Sequence, residues 1–385
     1  MYKRSRVYLD WASAAPPSLS ARNAFTAALV HFGNPSAPHA EGRDAREVVE
    51  ESRTRVARLM EVKADDIVFT SGATEANALA IVGAVKGSGK QLADLHILYL
   101  PTAHSSSLRT IERLGREGVH IEALALNEGA VDLARLKEQI RPETFLVSLD
   151  IVCGETGTRY DVRGVRKILN EAGRNDVRIH ADASQLPLVE SITRARLSAD
   201  LITLDAQKVG GVRGVGLLVA PRHIPLEPIV EGGGQERGLR SGTEPAALIA
   251  AFAASLSECA NGHEAFSARA ATLRARIIAD TASIDRLVMN EGKTNAPHIM
   301  NVSLLGRDTD YLVALLDERG FAVSTRSSCE TDAEGSRVVL AMTGDTERAA
   351  STLRVSFGPA TREGEVRRFA KALREAVAFL DSYTG

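Results

Sequence analysis

Short apolar runs alternate with amphipathic segments from about residue 15 to residue 225, and this alternation limits the folds open to the chain. Six of the runs are predicted to be buried strands. They are residues 67–70, 96–100, 145–150, 178–182, 201–205 and 215–219. Strands that alternate with helices form a mostly parallel sheet with helices on both faces. We therefore predict an α/β fold in which ligands bind beyond the carboxyl ends of the strands.

The pattern changes after three consecutive glycines at residues 232–234. Beyond them we predict two long helices, two strands and a final helix. These are residues 244–259 and 263–281, residues 298–303 and 353–357, and residues 363–380. A chain of 385 residues exceeds the size at which one core usually stops growing. We therefore predict a large domain at 15–235 and a smaller α+β domain formed by 1–14 and 236–385.

Charge and cysteine usage exclude several classes of protein. The formal net charge is −2 with both signs interleaved, which argues against nucleic acid or an anionic membrane as the main partner. Since no apolar run has the length of a signal peptide or a membrane span, we expect a cytoplasmic protein that acts on a small molecule. Cys153, Cys259 and Cys329 form no CxxC pair, so neither a disulfide framework nor a metal site is expected.

A turn of small residues, 71–75 (SGATE), follows the first predicted strand and opens a helical segment. The free N–H groups at such a helix N-terminus suit a phosphate, with the helix dipole assisting. An ordinary strand-to-helix turn with Thr74 as N-cap is the competing interpretation. Taken alone, this turn favours the ordinary interpretation.

Lys208 and Asp182 both follow apolar strands, at the ends where ligands bind in such folds. A lysine in a cleft can lose its proton and form a Schiff base with a carbonyl group. A carboxylate opposite it can keep a pyridine nitrogen protonated, which is what pyridoxal chemistry requires. The pair therefore predicts a pyridoxal-phosphate enzyme, whereas one loop lysine alone would indicate only a solvated side chain.

Several short segments form a pattern when they are taken in chain order. They are Tyr8-Leu9-Asp10, Gly33-Asn34-Pro35, residues 69–75 (FTSGATE), 182–185 (DASQ), 205–208 (DAQK), 232–243 (GGGQERGLRSGT) and 353–358 (LRVSFG). In this order they resemble bacterial cysteine desulfurases of the NifS/IscS type, within the class V aminotransferase group. The resemblance runs from about Tyr8 to the last helix, which is nearly the whole chain.

The resemblance implies a pyridoxal-phosphate enzyme of fold type I, with a mostly parallel sheet of the seven-stranded type. It also implies a homodimer with shared active sites. The residues that it assigns to the cofactor are Lys208, Ala73, Thr74, His104, Asp182, Gln185, Gln207 and Thr243. Lys208 and His104 are catalytic as well, and His104 would stack on the cofactor ring and move protons.

Other residues are assigned to the substrate and to the second subunit. Arg354 would grip the substrate carboxylate through two parallel hydrogen bonds, and Asn34 would also contact the substrate. Thr243 would reach the cofactor phosphate of the other subunit. The same threonine can also be an N-cap for the helix that follows, and the two roles are compatible.

Cys329 lies in a polar segment at 324–335. The resemblance implies that this catalytic thiol attacks the sulfur of bound L-cysteine and becomes a persulfide, which releases alanine and passes sulfur to an acceptor protein. A thiol with a pKa near 8.5 is only about 3% thiolate at pH 7. Glu330, Asp332 and Glu334 disfavour ionisation further. We therefore expect the bound substrate or His104 to accept the proton of this thiol.

Two positions depart from the family pattern. Where the family has Ser-x-His-Lys, this chain has Asp205-Ala206-Gln207-Lys208, so two phosphate contacts change. A carboxylate about 4 Å from a phosphate oxygen is repelled by about 4 kcal/mol at an effective dielectric near 20, so we expect that Asp205 points elsewhere or that its place is rearranged. Gly154 replaces an asparagine that contacts cofactor and substrate. We expect a working enzyme with weaker or rearranged cofactor binding.

Two alternatives stay open at this point. One is another pyridoxal-phosphate enzyme of the same fold, such as a selenocysteine lyase, a cysteine lyase or an aminotransferase, for which Cys329 would be dispensable. The other is a catalytically weakened sulfur-transfer scaffold, which the altered lysine segment motivates. Retention of the lysine, acid, imidazole, arginine and thiol favours the desulfurase. The sequence does not decide between iron-sulfur cluster assembly, tRNA thiolation and other sulfur acceptors.

Overall fold

The computed structural model describes residues 6–325 and 335–384. The strands of this part are β1 (Val7–Tyr8), β2 (Ile67–Thr70), β3 (His96–Tyr99), β4 (His120–Ala123), β5 (Leu126–Asn127), β6 (Ala130–Val131), β7 (Thr144–Asp150), β8 (Arg178–Asp182), β9 (Leu201–Asp205), β10 (Gly216–Val219), β11 (Leu287–Met289), β12 (Ile299–Leu304), β13 (Phe321–Ala322) and β14 (Thr352–Ser356). The α-helices are α1 (Leu19–Ala28), α2 (Ala40–Met60), α3 (Ala73–Gly87), α4 (Ser105–Arg116), α5 (Leu133–Gln139), α6 (Val162–Glu171), α7 (Arg194–Leu197), α8 (Ala246–Thr281), α9 (Thr309–Glu318), α10 (Arg337–Thr343), α11 (Thr346–Ala350) and α12 (Glu363–Thr384).

Within the described residues, the largest sheet has seven strands in the spatial order β2-β10-β9-β8-β7-β3-β4. Strand β10 runs antiparallel to both of its neighbours, and the other neighbouring strands are parallel. The prediction of a mostly parallel α/β sheet is therefore confirmed. Strand β4 is not among the predicted strands, because its residues are exposed or half-buried and form no apolar run.

One side of this sheet, from the outermost strand β2 to β9, is fully buried, and three neighbouring strands end in acidic residues. Every residue of β2, β9 and β10 is buried, as expected for strands with both faces covered. The parallel strands β7, β8 and β9 end at Asp150, Asp182 and Asp205. Asp150 and Asp182 are register partners, and Asp205 lies two residues beyond Thr203, the partner of Asp182. The carboxyl edge of the sheet therefore carries a row of acidic residues.

The N-terminal segment connects this sheet to a smaller one. Strands β11, β12 and β14 form an antiparallel sheet, and β1 pairs in parallel with β13. Asp10 forms a β-bridge with Ser356, and the N–H of Ala15 donates to the carbonyl oxygen of Gln207 at 2.7 Å. The segment therefore runs from β14 to the end of β9. The division of the chain into two domains near residue 235 stays a prediction.

Helix α8 is one continuous helix of 36 residues, so the prediction of two helices at 244–259 and 263–281 is wrong. Asn261-Gly262 indicates a break, and a glycine inside a helix costs about 1 kcal/mol relative to alanine. Packing against α1, α2 and α12 outweighs that cost. Its N-cap is Pro245, so Thr243 does not cap it. In the two described ranges, no helix combines the length and apolar character needed to cross a membrane.

Candidate active site

A cavity of about 280 Å³ opens at the carboxyl ends of β7, β8 and β9. The first turn of α3, the start of α4 and residues 12–13 complete its walls. Eight of the predicted site residues line it, namely Ala73, Thr74, His104, Asp182, Gln185, Gln207, Lys208 and Arg354. The structure therefore brings the predicted lysine and the predicted acid to one cavity.

Lys208 is held at the cavity wall by the N-terminal segment. Its Nζ donates hydrogen bonds to the carbonyl oxygens of Ala12 and Ser13, at 2.9 and 2.8 Å. The side-chain amide of Gln185 donates to the same Ala12 oxygen at 2.9 Å. One stretch of backbone therefore anchors both the amine and the amide.

Asp182 is buried at the end of β8 and is held by two donors. Asn77 Nδ2 donates to its Oδ2 at 2.8 Å, and the N–H of Ser184 donates to its Oδ1 at 2.9 Å. Donors at both oxygens fix the orientation of the carboxylate. Sequence reasoning missed Asn77, although a fully buried asparagine one turn into an apolar helix is a usable signal.

His104 caps α4, and its hydrogen bonds select one tautomer. Its Nδ1 accepts from the N–H of Ser106 at 3.2 Å and contacts the hydroxyl of Ser106 at 2.8 Å. Asn77 Nδ2 donates to the same hydroxyl oxygen at 2.9 Å. A neutral imidazole whose Nδ1 accepts a hydrogen bond carries its proton on Nε2. The network therefore assigns that proton to Nε2 and links His104 to Asp182 through Asn77.

A second buried carboxylate, Asp150, stands beside Asp182 as its partner in the β7–β8 register. Burial, followed by the charge of Asp182, raises the pKa of Asp150 to about 7. Its Oδ2 accepts a hydrogen bond from the N–H of His104 at 3.0 Å, and it lines the cavity. The cavity therefore contains a carboxyl group that exchanges its proton near neutral pH. Sequence reasoning missed Asp150, although an acid at the end of a predicted strand was a usable signal.

The predicted phosphate site at the start of α3 holds a carboxylate of the protein itself. The N–H of Ala73 donates to Asp205 Oδ2 at 2.9 Å, and the N–H of Gln207 donates to Oδ1 at 2.9 Å. Asp205 therefore does not point elsewhere, which corrects the first of the two expectations, because the positive end of α3 attracts an anion. A rearrangement around a bound phosphate stays a prediction. The N-cap is Gly72, with φ 153°, so the interpretation of Thr74 as N-cap is also wrong.

Arg354 reaches the cavity wall from β14 and is only 3% exposed. Its Nη2 pairs with Asp10 at 2.8 Å, and its Nη1 donates to the carbonyl oxygen of Gly154 at 3.0 Å. In the described part of the chain, its buried Nε has no hydrogen-bond partner. The guanidinium therefore belongs to a buried ion pair at the edge of the cavity, and its grip on a substrate stays a prediction.

Gly154 and Gln185 fit closely against each other. A Cβ atom at position 154 would lie 3.1 Å from Gln185 Nε2, which is tighter than an ordinary contact. A larger side chain there would therefore displace the amide. The glycine at position 154, where the family has an asparagine, therefore leaves room for the side-chain amide of Gln185 in its present position.

The two cysteines that the structure describes are poor nucleophiles. Burial raises the pKa of Cys153 to about 11 and that of Cys259 to about 12. Thiols with such values are almost entirely protonated at neutral pH, and the thiolate is the reactive form. Cys329, the predicted sulfur acceptor, lies outside the described residues.

Asn34 and Thr243 are exposed and do not line this cavity. Asn34 directly precedes Pro35, and Thr243 directly precedes Glu244. Pro35 and Glu244 line a different cavity of about 510 Å³, in which Gln235 Nε2 lies 3.4 Å from Ser36 Oγ. Their roles at the substrate and in a second subunit stay predictions.

The wall of the smaller cavity fits pyridoxal phosphate at its ring end. An amine, a carboxylate, an imidazole and an amide converge there, which is the donor set that pyridoxal chemistry uses. The buried hydroxyl of Ser184 has no partner among the described residues, so it can take a further hydrogen bond. The phosphate end fits less well, because the first N–H of α3 is already bonded to Asp205.

Comparisons with known proteins identify the family of this chain. The sequence model of the family described as aminotransferase class-V matches residues 7–369. The cysteine desulfurase IscS 1 of Archaeoglobus fulgidus is 33% identical over 381 residues, which cover 97% of this chain and 98% of that protein. The cysteine desulfurase IscS of Neisseria meningitidis serogroup C is 33% identical over 390 residues, covering 99% and 94%.

A solved structure gives the same result. The solved structure named NifS-like protein superposes with a TM-score of 0.91 at 27% identity, covering 97% of this chain and 100% of that one. The sheet, the cavity and the sequence comparisons therefore agree. The chain belongs to the class-V aminotransferase family and, within it, to the cysteine desulfurases of the NifS/IscS type.

Proposed function

We propose that this chain is a pyridoxal-phosphate-dependent cysteine desulfurase. It converts L-cysteine to L-alanine and takes the sulfur onto Cys329 as a persulfide, which then passes to an acceptor protein. The C–S bond of cysteine breaks and an S–S bond forms on Cys329, so cysteine and an enzyme thiol become alanine and an enzyme persulfide. The observation that carries the proposal is the convergence of Lys208, Asp182 and His104 on one cavity.

The side chains around the cavity divide the binding of the cofactor between them. Lys208 would attach the aldehyde, Asp182 would hold a proton at the ring nitrogen, and Gln185 would donate to the ring oxygen. Ala73, Thr74 and Gln207 hold the phosphate in this chain, and Thr243 does so in the other subunit. When bound, pyridoxal phosphate supplies a ring that withdraws electrons from the bonds of the attached amino acid.

His104 moves protons at the cavity. Ser106 holds Nδ1, and the neutral imidazole carries its proton on Nε2. The ring releases that proton from its doubly protonated form, in which Nδ1–H donates to the hydroxyl of Ser106, and takes a proton up again at Nε2. The N–H bond from His104 to Asp150 fixes the backbone of this turn. Proton transfer therefore starts from one defined nitrogen.

Cys329 is the favoured sulfur acceptor on chemical grounds. The raised pKa values of Cys153 and Cys259 make those thiols unreactive at neutral pH. Removal of the proton from Cys329 falls to the bound substrate or to His104. Arg354 and Asn34 bind the substrate. Arg354 does so through its Nε, which has no hydrogen-bond partner among the described residues.

A homodimer with shared active sites is part of the proposal. Leu29, Val30 and Phe32 are 55%, 71% and 84% exposed, and a group of exposed apolar side chains marks an interaction surface. The group lies next to Asn34 in the chain. We further propose a cytoplasmic enzyme without direct contacts to nucleic acid or membrane, whose sulfur serves iron-sulfur cluster assembly or tRNA thiolation.

Two measurements test the function together. The protein is first reduced with borohydride in the presence of pyridoxal phosphate, and peptide mapping is expected to find the label on Lys208. It is then incubated with L-cysteine without a reductant, and mass spectrometry is expected to find one added sulfur on Cys329. Sulfide release with no persulfide on Cys329 would favour a lyase. Absence of the label on any lysine would favour the non-catalytic scaffold.

A further inference from the structure

The carboxylate of Asp205 takes the place of a ligand anion at the start of α3. The side chain is 6% exposed, and its two oxygens accept from the N–H groups of Ala73 and Gln207, both at 2.9 Å. A Cβ atom on Gly72 would lie 3.5 Å from Oδ2, so the carboxylate is in contact with the glycine turn. The first free donor of α3 is therefore already used.

The charge of Asp205 depends on what lies beside it. Burial raises its pKa, and the hydrogen bonds from Ala73 and Gln207 and the charge of Lys208 offset only part of that rise. A phosphate at the same turn adds negative charge, and like charges disfavour ionisation of a carboxyl group. Binding of a phosphate is therefore coupled to protonation of Asp205.

The arginines that line the cavity are engaged with other groups. Arg354 pairs with Asp10, and Arg337 donates to the carbonyl oxygens of Pro101 and Ala103. Gln207, next to Asp205, supplies an amide but no positive charge. In the described part of the chain, the phosphate end thus presents neutral donors beside the carboxylate of Asp205. The charges that act on Asp205 are those of Lys208 and Asp182, and Glu75 of the same turn is paired with Arg240.

We propose that Asp205 sets the affinity of this chain for its cofactor. As a carboxylate it competes with the 5′-phosphate for the N-terminus of α3, and it takes up a proton when the phosphate binds. The inference rests on the proposed function, because it takes pyridoxal phosphate as the ligand. Its consequence is a cofactor that is bound loosely, and more loosely as the pH rises.

The test compares pyridoxal phosphate with pyridoxal, which lacks the phosphate, as ligands of the apoprotein. Asp205→Asn keeps the shape of the side chain and removes its charge. At pH 8 we expect Asp205→Asn to bind pyridoxal phosphate about tenfold more tightly than the wild type, with pyridoxal changed by less than about twofold. At pH 6 the gain is smaller, because the wild-type carboxyl group is more often protonated. Dissociation constants are measured by absorbance titration.

A matched variant separates a local effect from a general one. Asp150→Asn removes one charge from the same cavity at the side of His104. It is expected not to reproduce the selective gain for pyridoxal phosphate. Equal gains for both ligands in Asp205→Asn, or the same selective gain in Asp150→Asn, would overturn the proposal. If Asp205→Asn does not fold, as judged by circular dichroism, Asp205→Ser replaces it.

Failure of the proposed function gives a different result. If neither ligand attaches to Lys208 in any variant, the proposed function fails, and inorganic phosphate becomes the probe. Phosphate at pH 8 is then expected to raise the melting temperature of Asp205→Asn more than that of the wild type. Equal responses to phosphate would overturn the inference about Asp205. If pyridoxal phosphate attaches equally well to both proteins, the function stands and the inference fails.

Discussion

The side-chain amide of Asn77 lies 2.8 Å from Oδ2 of Asp182 and donates a hydrogen bond to it. The same nitrogen donates to the hydroxyl of Ser106, which contacts Nδ1 of His104. One residue of α3 therefore orients both the acid proposed for the ring nitrogen and the imidazole proposed for proton transfer.

Asn77→Ala is expected to lower kcat about tenfold or more while the cofactor stays attached to Lys208. A lost hydrogen bond to a charged group corresponds to about 1.5–3 kcal/mol. Because Asp182 and His104 share this donor, the pH profile of kcat should shift as well, and KM should change less. Steady-state kinetics between pH 6 and 9 check this.

The matched control for Asn77 is Ser107→Ala. Ser107 is 1% exposed and follows Ser106, and its hydroxyl has no hydrogen-bond partner within the described ranges. Removal of this hydroxyl breaks no hydrogen bond among the described residues, so Ser107→Ala should keep kcat within about twofold of the wild type. A normal pH profile for Asn77→Ala would show that the amide does not position either group.

Cys329→Ser is expected to abolish the release of sulfide from L-cysteine while the colour of the bound cofactor is retained. The reason is that a hydroxyl group cannot accept sulfur as a persulfide. Sulfide is assayed with and without a thiol reductant. Cys259→Ser is the control, because its buried thiol only donates to the carbonyl oxygen of Val209 and a hydroxyl can do the same. Full activity of Cys329→Ser would point to a lyase.

Asp150 should make the stability of the apoprotein depend on pH. Burial, with the charge of Asp182, raises its folded pKa from 3.8 to about 7, so the folded state binds this proton better than the unfolded state. Its contribution therefore falls as the pH rises from about 4 to about 7. Relative to wild type, Asp150→Asn should gain stability between pH 5 and pH 8, by at most about 3 kcal/mol, because about two pH units of this window lie above pH 5. Urea unfolding at both pH values measures this.

Asp176→Asn is the control for that pH dependence. The hydrogen bond from Arg174 lowers the pKa of Asp176, so this carboxyl group is ionised at both pH values. Its substitution should therefore change stability equally at pH 5 and pH 8. An equal change in Asp150→Asn would mean that Asp150 is ionised in the folded protein throughout this range.

Glu236→Gln is expected to destabilise the fold by about 3 kcal/mol or more. Arg53 donates to Glu236 at 2.8 and 2.6 Å in a buried pair, and the N–H of Phe69 donates to the same carboxylate at 2.8 Å. Without the charge of Glu236, a buried guanidinium loses its main counter-ion. Thermal unfolding at pH 7 measures the change.

Glu50→Gln provides the comparison, since Glu50 pairs with the same arginine. Glu50 is 54% exposed and lies 3.1 Å from the guanidinium. Exposed pairs contribute less than about 1 kcal/mol, so this variant should be nearly neutral. Equal losses for the two variants would mean that burial of the Arg53–Glu236 pair has no special effect.

The sequence predicts the sheet best where strands are buried on both faces. Strands β2, β8 and β9 have the predicted bounds, because apolar runs between turn residues mark them. Strand β4 is half exposed and gives no such run. The continuity of α8 across Gly262 depends on α1, α2 and α12, which are far away in the chain, so no local pattern contains it.

The candidate site was predictable where charged residues lie at or just beyond the ends of buried strands, as Asp182 at the end of β8 and Lys208 three residues after β9 do. Asn77 was not predicted as a site residue, because it lies inside an apolar helical pattern. The raised pKa of Asp150 depends on its burial, which the sequence does not show. Asp205 does not point elsewhere, because the N-terminus of α3 attracts its carboxylate, an effect that repulsion from a phosphate alone does not include. A local sequence pattern shows which residue types end a strand. The roles of Asn77, Asp150 and Asp205 depend on neighbours that are far away in the sequence.

The ion pair between Asp10 and Arg354 joins residues that are 344 positions apart. It closes the cavity wall next to the carbonyl oxygens that hold Lys208. During synthesis of the chain, His104, Asp182 and Lys208 are added well before Arg354. A nascent polypeptide therefore carries the groups that attach a cofactor long before it can complete their enclosure, and the site is finished only as the last segments of the chain emerge.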